Sequence, residues 1–342
     1  MANLNDYLPL KIARMIDGFE ISRFKQKGIS LDDMGILALG ESSGELSPAM
    51  KELQRWMLRG ADSSRPQEQV LHNSRILLYY SIIEKWAQNK QVYAFDSDFL
   101  DEMLSMEELT ISEKVFDFLP YRSFYLDFAE SAKMRELFDA EGFFVEVHDY
   151  DRVVRINLVS VKLQGNGRPY IDYIPFTCPN DKEIVLTKEN FTQHFGQYDL
   201  LGRDDDEMKP FDSPNLTKSF TILQLILYLA SVEPDVKENP KTHISYQKPK
   251  NKVRNVYSEV QKWDVGIRFG NAFRKWKTAK ENNNTSVSVR NGSKKRPHTR
   301  RAHWSHFWYG HGEDKIRRPK WVSEVMVGIG DPITTIHKVK GE

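Results

Sequence analysis

From residue 92 to residue 187 the chain repeatedly alternates apolar and polar positions with a period of two, and no other feature narrows its fold as much. Six segments carry the pattern: 92–95 (VYAF), 123–128 (SFYLDF), 143–148 (FFVEVH), 153–162 (VVRINLVSVK), 170–176 (YIDYIPF) and 184–187 (IVLT). They are rich in Val, Ile, Phe and Tyr, and Asp, Gly or Pro residues separate them, which is strand composition. The stretch QGNGR at 164–168 reads as a turn between two of them. We therefore expect a mostly antiparallel sheet in the middle of the chain.

Such a sheet needs apolar cover, and the flanking segments supply it. Ser47 and Pro48 form an N-cap and first-turn pair, followed by Met50, Leu53, Trp56 and Met57 at helical spacing. Pro66 opens a longer helix with Val70, Ile76, Leu77, Tyr80, Ile83 and Trp86 on its apolar side. On the other flank, residues 216–232 read as a buried helix that stops at Glu233 and Pro234. The apolar run 220–232 is too short to span a bilayer and is interrupted by Gln224. The fold class expected is α+β: N-terminal helices packed with a mostly antiparallel central sheet, plus a basic C-terminal module that contains a hairpin. We divide the chain into a helical region at 1–90, an acidic α+β core at 91–247 and a basic module at 248–342. A polar stretch to about residue 254 reads as a loop, residues 268–280 as an amphipathic basic helix, and residues 281–295 as a mobile linker.

The net charge of +1 conceals a division of sign along the chain. Residues 91–212 hold 12 basic and 26 acidic side chains, whereas residues 248–321 hold 20 and 5. The basic third suits a polyanion. The acidic middle suits a cationic peptide, docks on the basic part, or repels nucleic acid. One cysteine, Cys178, excludes a disulfide framework and a multi-cysteine zinc site. With no secretion signal at the N-terminus, the expected setting is the cytoplasm, away from membranes.

Residues 296–311, RPHTRRAHWSHFWYGH, concentrate the chemistry. Four of the nine histidines lie there, with three arginines and four aromatic residues. Arginine forks grip phosphate, and aromatic rings stack on unpaired bases. The expected nucleic-acid-binding set is Arg296, His298, Arg300, Arg301, His303, Trp304, Trp308, Arg317, Arg318 and Lys320. Trp304, Trp308 and Trp321 also read as partly core. His298, His303 and His306 are candidates for general acid–base work at a ribose hydroxyl, which leaves a metal-independent endoribonuclease as the alternative reading. The spacing of His298, His303, His306 and His311 is not a zinc pattern, so we expect neither metal nor cofactor. Elsewhere the blander readings prevail. The acidic run 204–207 reads as a solvated loop, His148 with Asp149 and Asp151 as a strand end rather than a nuclease cluster, and Cys178 as structural. The loop GESSGELS at 40–47 lacks the spacing and lysine of a phosphate loop.

The segment RPHTRRAHWSHFWYGHGEDKIRRPKWVSEVMVG resembles the C-terminal signature of a type V-A anti-CRISPR family, whose members lower the amount of the type V-A CRISPR nuclease by acting on its biogenesis. FLPYRSFYLDF at 118–128, LILYLASVEPDVKENP at 225–240 and WDVGIRFGNAFRKWK at 263–277 are similar in kind and order. The resemblance implies a regulator that recognises a nascent peptide during translation and promotes decay of its mRNA. Its implied partners are the nascent polypeptide of a target protein, the type V-A CRISPR nuclease in the family's own case, and RNA or the ribosome. A host ribonuclease joins them if the chain does not cut RNA itself. A plain RNA- or ribosome-binding protein of a mobile element is the third reading. The signature carries over onto His298, Arg300, Arg301, His303, Trp304 and Trp308.

Overall fold

The structure is a computed structural model that describes residues 7–17, 20–38, 45–59, 66–150, 153–163, 169–188, 190–191, 213–239, 260–283, 298–300, 302–312, 315–322 and 325–327. Every element of the N-terminal region among the described residues is a helix: α1 (Leu8–Asp17), α2 (Ser22–Gln26), α3 (Leu31–Ala38), α4 (Pro48–Met57) and α5 (Pro66–Asn89). The expected cap is present, with Ser47 Oγ accepting the Met50 N–H at 3.2 Å.

Beyond α5 come β1 (Gln91–Phe95), α6 (Ser97–Leu104), β2 (Glu108–Ile111), a 3₁₀ turn (Val115–Phe118), β3 (Ser123–Asp127) and α7 (Ala132–Phe138). Next are β4 (Gly142–Asp149), β5 (Val153–Leu163), β6 (Pro169–Pro179), β7 (Ile184–Thr187) and α8 (Ser213–Ala230). The last third holds β8 (Val236–Glu238), β9 (Gln261–Val265), α9 (Ile267–Asn283), β10 (His298–Arg300), β11 (His303–Tyr309), β12 (Ile316–Val322) and β13 (Val325–Val327).

Seven strands form one sheet in the order β6-β5-β4-β3-β1-β9-β8. The mostly antiparallel arrangement holds, with β1 paired parallel to β3 and β9 and every other neighbour antiparallel. All six period-two segments are strands. β2, β8 and β9 lacked that signal: they are three to five residues long. β9 (QKWDV) is half-buried over most of its length, so no clean alternation marks it. It nevertheless pairs with β1 across five residues as an inner strand.

Alternation along the strands makes two cores. Phe124, Leu126, Val145, Val147, Ile156 and Leu158 face α6, α7 and α8. Val92, Tyr125, Phe144, Val159 and Val161 face the N-terminal helices. Trp86 anchors the second core. It is fully buried, meets the Phe144 ring edge-on at 5.2 Å and donates its indole N–H to the Gln91 carbonyl at 2.8 Å. Helix α8 is buried on all sides from Phe220 to Leu229 because α6, the 3₁₀ turn and β12 cover the faces that the sheet leaves open. It ends before Glu233, whose φ of 51° turns the chain away.

The segments 164–168, 204–207, 240–254 and 284–295, with Asp151 and residues 40–44, lie outside the described residues. Among those that are described, no helix is long and apolar enough to cross a membrane.

Candidate functional site

The C-terminal signature folds as a two-stranded ribbon laid against the first core. β11 and β12 pair antiparallel, with Trp304 opposite Trp321, His306 opposite Pro319 and Trp308 opposite Arg317. Directly opposed residues share a face. Trp304 and Trp321 meet edge-on at 5.3 Å, and Trp321 meets Phe99 of α6 at 6.1 Å. Both pack on the core, as their residue type suggested. Their indole nitrogens have no hydrogen-bond partner among the described residues.

The basic side chains of β12 are engaged inside the molecule. Arg317 holds both carboxylate oxygens of Glu183 at 2.7 Å. Lys320 meets Glu233 at 2.9 Å. Arg318 lies 3.7 Å from the centroid of the Phe118 ring and donates to the Ala230 carbonyl at 3.3 Å. Burial lowers the pKa of its guanidinium. The backbone of β12 joins the body as well, the Val232 N–H donating to the Pro319 carbonyl at 2.9 Å.

The histidines do not converge. His303 and His306 stand three residues apart on one strand, so they point to opposite faces. His303 is exposed. His306 Nε2 lies 3.3 Å from the Thr110 carbonyl of β2. Burial lowers the pKa of His306, while the contact with Thr110 opposes that shift. The ring thus couples the ribbon to the β2–β7 pair. His298 and Arg300 belong to β10, paired with β13 through His298–Val327 and Arg300–Val325. Arg296 and Arg301 lie outside the described residues.

Trp308 departs from the partly-core reading. It is 66% exposed, and Phe307 beside it is 46% exposed. Along the ribbon the Trp304 and Trp321 rings are packed, whereas the Trp308 and Phe307 rings lie open even though Arg317 and Arg318 opposite them are held by the body.

A second polar site lies on the opposite face of the sheet. Glu146 of β4 is buried, and Lys85 of α5 bonds to it. Lys85 also reaches Asp32 of α3 at 2.5 Å. His148 Nε2 lies 2.9 Å from Glu146 Oε1, and Asn157 donates to Oε2 at 3.1 Å. Tyr173 in turn donates to Asn157 at 2.8 Å. Burial alone raises the Glu146 pKa; His148 and Lys85 more than reverse this and bring it down to about 2. A cavity of about 390 Å³ opens here, lined in part by Ile36, Leu78 and Tyr150. Asp32, Glu146 and His148 have a metal-ligand composition, but the Lys85 ammonium already bonds both carboxylates, so a fixed internal cation fills that role. Sequence reasoning missed this network. The signal was Glu146 and His148 two apart in an alternating strand, hence on one face.

With this geometry in hand, the comparisons decide the family. The model of the AcrVA2-like family, anti-CRISPR type V subtype A2, matches residues 93–329. The chain belongs to this family. The matched region runs from β1 through β13 and includes the whole ribbon, whereas α1–α5 precede it. Among solved structures, the crystal structure of AcrVA2 is 16% identical, with a TM-score of 0.41, covering 93% of this chain and 99% of that one. No curated protein matches the chain.

Proposed function

We propose that this protein lowers the amount of a target protein while that protein is being synthesised. It recognises the emerging peptide and promotes decay of the mRNA under translation, and the type V-A CRISPR nuclease is the target. Membership of the anti-CRISPR type V subtype A2 family carries the proposal. The division of charge supports it: an acidic middle suits a cationic nascent segment, and a basic last third suits RNA or the ribosome. The ribbon of β11 and β12 is the element we assign to the RNA side. Decay by a recruited host ribonuclease fits better than cleavage by the chain itself, because His303 and His306 point to opposite faces and His306 is held at Thr110.

A reporter that begins with the N-terminal codons of the nuclease tests the reading. Co-expression lowers its mRNA, and synonymous recoding of those codons preserves the effect. A frameshift that changes the peptide while keeping the nucleotides abolishes it. An mRNA level unaffected by this protein would sink the proposal.

A further inference from the structure

The β11–β12 ribbon is divided into two halves of different character. Its base is consumed by the fold, with Trp304 packed on Trp321, Trp321 on Phe99 and Lys320 at Glu233, and the body also holds Arg317 and Arg318, opposite Trp308 and Phe307, at Glu183 and the Ala230 carbonyl. Its outer half carries the opposite burial pattern. Trp308 is 66%, Phe307 46% and Ile316 45% exposed, and His311 and Lys315 are exposed beside them.

The pairing register fixes which way these side chains look. Trp308 shares a face with Trp304, and Phe307 shares the opposite face with Ile316 and Tyr309 through the pair Tyr309–Ile316. Large apolar side chains are therefore exposed on both faces at once. At this level β12 holds the ribbon to the body, through Arg317 at Glu183 and Arg318 on Phe118, while the Trp308 and Phe307 rings of β11 lie open on opposite faces. This also argues about the occupant. One flat apolar partner surface can cover Trp308 or Phe307, but not both, since a ribbon one strand thick separates them. Unpaired bases have no such restriction, because each ring can take a base against its own free side.

We infer that the outer half of the ribbon is a stacking platform for an unpaired segment of RNA. Trp308 and Phe307 each carry a base, and His311 and Lys315 lie beside the backbone. The surrounding sequence has the matching charge, with 20 basic and 5 acidic residues over 248–321. This rests on the RNA-facing reading of the module and narrows it. The recognition residues are Trp308 and Phe307, not Trp304, Arg317, Arg318 and Lys320, whose side chains the fold uses.

The test measures binding of the full-length chain to labelled oligouridine and oligoadenosine of about 12 nucleotides and to a duplex of equal length. Wild type binds both single strands more tightly than the duplex. Trp308→Ala weakens single-strand binding by about tenfold or more. Trp308→Phe restores most of it, and the dependence on salt stays unchanged because no cation is removed. Far-ultraviolet circular dichroism and the melting temperature of each variant match wild type. Unchanged affinity in Trp308→Ala, equal binding to duplex, or no binding by wild type each overturns the platform. So does a loss of ribosome co-sedimentation in Trp308→Ala with RNA affinity intact, which would make the partner a protein. The reporter assay with wild-type protein is scored separately, so mRNA decay with no single-strand binding refutes the platform and leaves the co-translational reading standing.

Discussion

Glu146 is a carboxylate that burial alone would neutralise, and its neighbours hold it ionised. Its pKa falls from an ordinary 4.5 to about 2 through His148 and Lys85. A depressed folded-state pKa stabilises the native state fully above the unfolded value and is lost as pH falls through the folded one. The Glu146 contribution is thus complete above pH 4.5 and disappears towards pH 2, an amount on the order of 3 kcal/mol. Glu146→Gln removes the charge and leaves Lys85 with Asp32, which lies at the surface. We expect a loss of about 3–5 kcal/mol at neutral pH and a flatter acid limb, both read from urea titrations across pH. An acid limb identical to wild type would show that the network does not govern acid stability. From sequence, His148 with Asp149 and Asp151 reads as a strand end rather than a cluster. Strand alternation explains why Asp149 is no companion of His148: it faces away from His148 and lies 3.9 Å from Arg122 instead. The partner of His148 is Glu146, and Lys85 and Asp32, which complete the network, come from distant helices, with 53 residues between Asp32 and Lys85 and 61 between Lys85 and Glu146. No local pattern reports contacts of that span.

Elements are joined at points where a single atom decides the fit. Asp96 caps α6 by accepting the Asp98 N–H at 3.0 Å, and it also takes the Arg274 fork of α9 at 3.2 and 2.9 Å. This approach depends on Gly270, where a Cβ would lie 2.0 Å from Asp96 Oδ1. Gly270→Ala should therefore destabilise the protein by about 1–3 kcal/mol or more, seen as a lower urea midpoint. A midpoint within error of wild type would mean that α9 can shift without cost. The ribbon makes a parallel case. Trp304→Ala empties the contact with Trp321 and should cost about 3–5 kcal/mol. Trp308→Ala, at an exposed position, should stay within about 0.5 kcal/mol. Equal losses in the two variants would contradict the division between the packed Trp304 ring and the open Trp308 ring. From sequence the two tryptophans were equivalent, four residues apart on one face of one strand. What separates them is that Trp321 and the first core pack against Trp304 and leave Trp308 open, a tertiary fact. The six alternating strands and the capped helices were legible because their signals are local. β9 and α6 were not, since neighbours rather than periodicity place them.

Across the whole molecule, the charge division read along the sequence is partly folded back on itself. Arg274 meets Asp96 and Asp98, Lys262 meets Asp127 at 3.2 Å, and Arg317 meets Glu183. The acidic middle and the basic third thus dock on each other, one of the uses the sequence left open, and what remains for partners is the surplus. The N-terminal helices belong to the same body, although the family match begins only at residue 93. They cover Tyr125, Phe144, Val159 and Val161, which would otherwise lie open on one face of the sheet. Tyr7 also donates to Asp127 at 2.9 Å, joining the start of α1 to the end of β3. A sheet with one uncovered apolar face aggregates, because several large side chains are returned to water at roughly 1.5–3 kcal/mol each. For these four side chains that sum, about 6–12 kcal/mol, is comparable to the usual stability of a domain, about 5–15 kcal/mol. A chain shortened to residues 91–342 should therefore be insoluble or lack a cooperative melt, even though it contains the whole family-matched region. Soluble expression with a sharp thermal transition would show instead that the sheet and α8 form a self-sufficient unit and that the N-terminal helices are an accessory layer. Adding residues 1–90 back in trans would distinguish a lost cover from a lost folding nucleus, since only the lost cover can be replaced by docking of the separate helices onto the exposed face.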